Sequence, residues 1–214
     1  MSAPAPKERS VSRRSLVMAS VGAAVVLTGT GIAATLFGDE HLLRPPGGQD
    51  ESALIARCNR CGRCVSECHI RAIGVAHVAD GLANVRTPVM RFNLGSCDFC
   101  GDCVRVCPTG ALSLFDVEAA QAGEVKAARI GVARLDPSIC LSYTASSCNL
   151  CYTDCPYEAV ALDESGNPFV MEGKCNGCGV CENVCPVLSL RSYIGGNTRA
   201  ITVVSVGSDA ESGE

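Results

Sequence analysis

The sequence contains no tryptophan, and its aromatic residues make up only 4% of the 214 positions. A large aromatic core is therefore excluded, and the cohesion of the fold must have another source. An excess of basic residues is also absent, because the formal net charge is −4 and no basic tract is interleaved with aromatic residues. We therefore expect no binding to nucleic acid.

Sequence signatures of the common enzyme classes are absent as well. The chain has no G-x-G-x-x-G ahead of a helix, no P-loop and no catalytic-triad pattern. A single apolar run, residues 16–37, is about 22 residues long, which is enough for one bilayer span. One span is too few to build a quinol site from several helices. The sequence therefore predicts no catalytic residues.

Cysteine is the residue that the chain has in excess. Its sixteen cysteines fall into four groups, within residues 58–68, 97–107, 140–155 and 175–185, and none is left over. Groups one, two and four follow C-x2-C-x2-C-x3-C, whereas group three has seven residues in its first gap. Proline follows the last cysteine of groups two, three and four, and His69 takes that place in group one. The sixteen are Cys58, Cys61, Cys64, Cys68, Cys97, Cys100, Cys103, Cys107, Cys140, Cys148, Cys151, Cys155, Cys175, Cys178, Cys181 and Cys185.

This spacing is typical of iron–sulfur ligands. Three cysteines separated by gaps of two surround one concave loop, and the fourth is carried away by the chain to a neighbouring cluster. Cysteines two residues apart are poorly placed for disulfides with one another, and zinc sites prefer two C-x2-C knuckles with a longer loop between them. The C-x2-C-H pattern of haem attachment is missing. We therefore interpret all sixteen cysteines as ligands of four [4Fe–4S] clusters. We expect His69 to be a solvated or hydrogen-bonding imidazole rather than a ligand.

The remaining sequence predicts how the chain is organised. A basic stretch with Arg13-Arg14 stands before the apolar run, as in a twin-arginine export signal. We therefore expect a periplasmic protein whose first segment is either removed or retained as a membrane anchor. The chain is predicted to consist of a signal or anchor (residues 1–37), a linker (38–52), a polyferredoxin domain (53–200) and a C-terminal tail (201–214).

Short apolar runs follow each cysteine group and predict brief buried strands. Turn signals such as Asp80-Gly81 separate these runs. Residues 117–129 are the best candidate for an ordinary helix, and the C-terminal AITVVSV is a further strand candidate. The predicted fold class is α+β, with two bacterial-ferredoxin-like units of short strands and short helices around four clusters.

Two arrangements would pair the cysteine groups. In the local arrangement group one joins group two and group three joins group four, which the 19 residues between Cys155 and Cys175 support. In the nested arrangement group one joins group four and group two joins group three. We favour the nested arrangement, because the layout also resembles the four-cluster subunits of membrane-linked oxidoreductases. Cys68 would then complete the cluster of Cys175, Cys178 and Cys181.

Several motifs resemble those of the ferredoxin-type proteins of the NapG/MauM family. They are the twin arginines, LLRPPGG before group one, KAARIGVARLD before group three, and C-x7-C-x2-C-x3-C-P in group three itself. The resemblance therefore covers the signal, the linker and all four groups. His69, which stands where proline is usual, is a departure from the family pattern.

The resemblance implies an electron carrier rather than an enzyme. Resemblance to the nitrate-linked members implies that this chain takes electrons from a membrane-bound, quinol-oxidising ferredoxin-type partner. A periplasmic cytochrome or reductase, such as a nitrate reductase system, would receive them. Resemblance to the methylamine-linked members implies an alternative role in maturation of a quinone-type cofactor. A further alternative is that the chain is the iron–sulfur subunit of a molybdenum oxidoreductase.

Overall fold

The computed structural model describes residues 42–144, 147–188 and 198–206. The predicted signal or anchor, 1–37, and the acidic end of the chain lie outside the described residues. Among the described residues, no helix combines the length and apolarity that a membrane span needs.

The described residues form short helices and short strands, which confirms the predicted mixture of both. The helices are α1 Glu51–Arg57, α2 Arg63–Glu67, α3 Asp102–Arg105, α4 Val117–Gln121, α5 Leu141–Thr144, α6 Leu150–Thr153 and α7 Val180–Val184. The strands are β1 Ile73–Val75, β2 Pro88–Met90, β3 Val132–Leu135, β4 Val160–Leu162, β5 Pro168–Val170 and β6 Ile201–Val204. Two single 3-10 turns, Val78–Asp80 and Leu82–Asn84, lie between β1 and β2.

The strands pair as antiparallel two-stranded sheets, β1 with β2, β3 with β6, and β4 with β5. Ile73 pairs with Met90 in the first sheet, and Val160 pairs with Val170 in the third. The β1–β2 hairpin separates cysteine groups one and two, and the β4–β5 hairpin separates groups three and four. Because a hairpin returns the chain to its starting point, the helix that follows each hairpin packs against the helix before it. Thus α2 packs against α3, and α6 packs against α7.

The helix predicted over 117–129 is wrong beyond Gln121. Asp116 caps α4 by accepting the Ala119 N–H at 3.0 Å, as an aspartate at this position should. Gly123 has a φ of +92°, which is not helical, so the helix cannot continue through it, and a β-carbon there would lie 3.0 Å from the Tyr157 ring.

The predicted strands are confirmed after groups one and three, as β1 and β4, and at the C-terminal run, as β6. The run after group two forms no strand, because the Ser113 N–H donates instead to the Gly47 carbonyl oxygen at 2.8 Å. The run after group four continues into residues outside the described ranges. Residues 201–204, which the sequence assigned to a tail, are part of the folded domain, since β6 pairs with β3.

The described part of the predicted linker, 42–52, is also folded into the domain. Arg44 is only 2% exposed and forms a bidentate ion pair with Glu51. Its Nη1 donates to Thr87 Oγ1 and to the Pro88 carbonyl oxygen, both at 2.8 Å. The linker interpretation is therefore wrong for these residues, because Arg44 ties them to the end of the β1–β2 connection.

Replacing Arg44 by alanine should destabilise the protein strongly. The substitution removes one partner of a largely buried ion pair and leaves the acceptors at Thr87 and Pro88 unpaired. We expect a loss of roughly 3 kcal/mol, which lowers the thermal unfolding midpoint of a domain of this size by about 6–12 °C. Arg134→Ala is the control, because Arg134 pairs with Glu172 at the surface and should cost less than about 1 kcal/mol. Equal shifts in the two variants, followed by circular dichroism, would contradict this role for Arg44.

Cysteine side chains form part of the core. Phe99 and Leu54 are fully buried, and four cysteines pack with them at 7–8% exposure. These cysteines are Cys103, Cys175, Cys178 and Cys181. The sulfur atoms therefore occupy space that aromatic residues would fill in another protein.

Candidate metal centres

The sixteen cysteines gather into four sets, and each set takes three cysteines from one group and one from another. Three sets each line a cavity. The fourth set surrounds Cys103, whose pKa is raised by burial and then by the charges of Cys100, Cys64 and Cys68. Because Cys64 lines the cavity of group one, Cys68 and Cys100 are left to join Cys103. The sets are site A, Cys58, Cys61, Cys64 and Cys107; site B, Cys68, Cys97, Cys100 and Cys103; site C, Cys155, Cys175, Cys178 and Cys181; and site D, Cys140, Cys148, Cys151 and Cys185.

The nested pairing favoured from the sequence is therefore wrong, and the local pairing is observed. Cys68 lies beside Cys103 of group two, and Cys107 returns to the cavity of group one. Likewise Cys155 lines the cavity of group four, and Cys185 lines the cavity of group three. The physical cause is the hairpin between the members of each pair, which folds the second group back onto the first.

The loops of groups one, two and four share one backbone conformation. In each loop the residue before the second cysteine and the glycine after it both have positive φ. Left-handed residues alternating with right-handed ones form a nest, in which successive N–H groups converge on an anion. This geometry suits the inorganic sulfides of an iron–sulfur cluster. The φ angles are 57° at Arg60, 75° at Gly62, 57° at Phe99, 77° at Gly101, 76° at Gly177 and 80° at Gly179.

An Asn or Asp after the first cysteine fixes the same three loops. Asn59 Oδ1 accepts the N–H of the second cysteine of group one at 3.3 Å. Asp98 Oδ1 and Asn176 Oδ1 accept the corresponding N–H groups of groups two and four, both at 3.2 Å. These side chains close an Asx turn that sets the direction of the loop. This role was not predicted from the sequence, although the repeated C-[N/D]-x-C spacing carries the signal.

The electrostatics of the sulfur sets also fit bound iron. Burial, with a contribution from neighbouring cysteines, raises the pKa of Cys64 to about 11, and of Cys103 and Cys151 to about 12 each. Burial likewise raises the pKa of Cys178 to about 12. Without a cation these thiols stay protonated at neutral pH, and a cationic group bound among them would stabilise the thiolate form. The residues present therefore fit a metal cluster held by thiolates.

His69 lies at the edge of site B. Its Nε2 is 3.1 Å from Asp98 Oδ2, and its Nδ1 is 4.0 Å from Cys100 Sγ. The side chain is 56% exposed. The exposure and the contact with Asp98 agree with the predicted solvated or hydrogen-bonding imidazole, and that His69 is not a ligand stays a prediction.

Sites B and C meet at a direct backbone contact. The Cys97 N–H donates to the Cys178 carbonyl oxygen at 2.7 Å, so one hydrogen bond joins a cysteine of site B to a cysteine of site C. The Tyr157 ring lies beside this contact. Burial, and after it the charge of Cys178, raises the pKa of its hydroxyl to about 12, and Cys97 contributes in the same direction. The Phe99 ring packs edge-on to Tyr157 with centroids 6.2 Å apart.

Alanine at Gly179 should disrupt site C, whereas alanine at Gly62 should be tolerated. Both glycines follow the second cysteine of their group and have positive φ. A β-carbon at Gly179 would lie 2.1 Å from Cδ1 of the buried Phe92, but one at Gly62 meets open space. We expect Gly179→Ala to cost about 3 kcal/mol and to lower the iron content. Gly62→Ala should cost about 1 kcal/mol and keep its iron. Similar iron loss in both variants would contradict this role for the contact with Phe92.

Known protein families match the same cysteine-rich segments of the chain. Family models described as 4Fe-4S dicluster domain match residues 57–111, 96–159 and 146–190. The chain is 37% identical over 158 residues to the ferredoxin-type protein NapG of Escherichia coli K12, covering 67% of this chain and 65% of that protein. It is 36% identical over 202 residues to the methylamine utilization ferredoxin-type protein MauM of Methylophilus methylotrophus, covering 84% and 82%. NapG of Haemophilus influenzae is 33% identical over 197 residues, covering 81% and 67%.

Proposed function

Because the chain belongs to the ferredoxin-type family of NapG and MauM, whose members are iron–sulfur electron carriers rather than enzymes, we propose a specific relay for it. It takes electrons from a membrane-bound, quinol-oxidising ferredoxin-type partner. It delivers them to a periplasmic cytochrome or reductase, such as a nitrate reductase system. The similarity to the ferredoxin-type proteins NapG and MauM supports an electron-transfer role.

The proposal assigns one [4Fe–4S] cluster to each of the four sites, with all sixteen cysteines as ligands. A cluster of this type, when bound, takes up and releases one electron at a time. The nests of sites A, B and C would supply N–H groups to the sulfides, and the apolar residues that line sites C and D would limit access of water. Sites A and B with the β1–β2 hairpin form one ferredoxin-like unit, and sites C and D with the β4–β5 hairpin form the other.

The contact between Cys97 and Cys178 is the observation that carries the proposal. Site A shares cysteine groups with site B, site C shares them with site D, and this hydrogen bond connects B to C. The sites therefore follow one another in the order A, B, C, D without a break in the protein path. A chain of redox sites suits transfer between two protein partners. The hydrogen bond holds the two units together, so that electron transfer from site B to site C does not depend on diffusion of one unit relative to the other.

The proposal places the chain in the periplasm. Arg13-Arg14 and the apolar run after it support export of a protein already folded around its cofactors. The same run, if retained, would hold the carrier beside its membrane partner.

A genetic and biochemical experiment tests the relay. Cells lacking this chain should lose quinol-dependent reduction of periplasmic cytochrome, and the wild-type chain should restore it. The Cys100→Ala chain should not restore it, because site B lies within the path. Unchanged cytochrome reduction in cells lacking the chain would contradict the relay. A requirement limited to the period when a client enzyme is being made would point to maturation instead.

A further inference from the structure

Three arginines surround site A at the protein surface. Arg60, Arg63 and Arg86 line the same cavity as Cys58 and Cys61. All three arginines are exposed, and so is Cys61. No acidic side chain lines this cavity among the described residues. Site A therefore opens to solvent through a ring of positive charge, called here the arginine collar.

The cavities of the other sites differ from that of site A. The described lining of site D consists of its cysteines and apolar residues such as Leu135, Leu150 and Val187. The described lining of site C contains no charged residue either. The three arginines thus distinguish site A from sites C and D, and they do not follow from a general excess of basic residues, since the whole chain carries −4.

One arginine of the collar, Arg60, is held in place by hydrogen bonds. Arg60 Nε donates to the Val85 carbonyl oxygen at 3.0 Å, and its Nη2 donates to the Ala83 carbonyl oxygen at 2.9 Å. These bonds connect the loop of group one to the segment that carries Arg86. A guanidinium that is already oriented loses less conformational entropy when it meets a carboxylate.

We propose that the arginine collar is a docking surface for a redox protein that presents a cluster of carboxylates. Arginine binds carboxylates through two parallel hydrogen bonds, and complementary charge steers the approach of partners. Docking here brings the partner against exposed Cys61 and therefore against site A. The proposal rests on the relay function and adds the place and chemistry of one of its contacts.

The test uses the full-length protein with its iron and a fluorescein-labelled poly-L-glutamate peptide as the carboxylate probe. Arg63→Glu/Arg86→Glu is the test variant, and Arg60 is left in place because it supports the loop. Fluorescence anisotropy should show binding to the wild type at low ionic strength that weakens with salt. The double variant should bind about tenfold more weakly. Oxidation by ferricyanide, an anion, should slow in the same variant, while oxidation by hexaammineruthenium(III), a cation, should not.

Two control variants carry changes elsewhere. Lys126→Glu reverses one exposed charge outside site A and should bind the peptide as the wild type does. Arg13→Gln/Arg14→Gln controls for the basic N-terminal stretch and should also bind normally. Peptide binding that falls in either control and stays unchanged in Arg63→Glu/Arg86→Glu would overturn the docking surface.

Vesicle binding and iron content distinguish the docking surface from a lipid-binding surface and from a failure of the relay. Sedimentation with phosphatidylserine–phosphatidylcholine vesicles tests for a lipid-binding surface. Vesicle binding that depends on Arg63 and Arg86, with peptide binding that does not, would overturn the proposal. Full iron content with unchanged peptide binding in the double variant refutes only the docking surface, whereas wild-type protein without iron refutes the relay itself.

Discussion

Replacing Cys68 together with Cys100 by alanine should remove about four irons per chain, whereas replacing Cys68 together with Cys178 should remove about eight. Cys68 and Cys100 belong to the same set, site B, so their combined loss affects one cluster. Cys178 belongs to site C, so the second pair affects two clusters. Both double variants lose two thiols, which makes each the control for the other.

The nested pairing predicts the opposite result for these two variants. Cys68 and Cys178 would then share a cluster, and the Cys68/Cys100 variant would lose the larger amount of iron. Iron determination by atomic emission and acid-labile sulfide analysis, on protein prepared without oxygen, distinguishes the two outcomes. Equal losses would fit neither pairing and would refute the assignment of Cys68 to site B.

Replacing Phe99 by alanine should cost about 3–5 kcal/mol and lower the thermal unfolding midpoint by about 6–20 °C. Phe99 is fully buried, and its ring contacts Phe115 and Tyr157 edge-on, at centroid distances of 6.5 and 6.2 Å. The truncated side chain leaves a cavity beside the contact between sites B and C. Neighbouring atoms relax only in part into such a cavity, so most of the lost packing energy is not recovered.

Phe169→Ala is the matched control, since Phe169 is 43% exposed on β5. It removes the same ring at the surface and should cost less than about 1 kcal/mol. Circular dichroism of the iron-loaded proteins measures both midpoints. A shift in Phe99→Ala no larger than that in Phe169→Ala would show that the junction between sites B and C does not depend on this ring.

The identity and spacing of the ligands could be predicted from the sequence, because the chemistry acts at short range. A C-x2-C-x2-C loop is built by consecutive residues, and the structure brings the triplets of groups one and four each to one cavity. The family and the short helices and strands could be predicted from the sequence for the same reason. The strand after group three is an example, since β4, Val160–Leu162, directly precedes the β4–β5 turn that Gly166 permits.

The pairing of the groups could not be predicted, because it depends on how the chain returns after each group. The β1 and β2 strands have three residues each, which is too short for a clear alternating pattern. The role of Arg44 was missed for a similar reason. Its partners Asn84, Thr87 and Pro88 are 40 or more positions away, and the prolines and glycines after it are typical of a linker.

The central claim is that four iron–sulfur clusters occupy sites A to D. Iron and acid-labile sulfide analysis of the full-length protein, purified without oxygen, tests it most directly. We predict a brown protein with about sixteen irons and about sixteen sulfides per chain. A colourless protein that contains zinc, or one whose sixteen thiols are joined as disulfides, would contradict the claim.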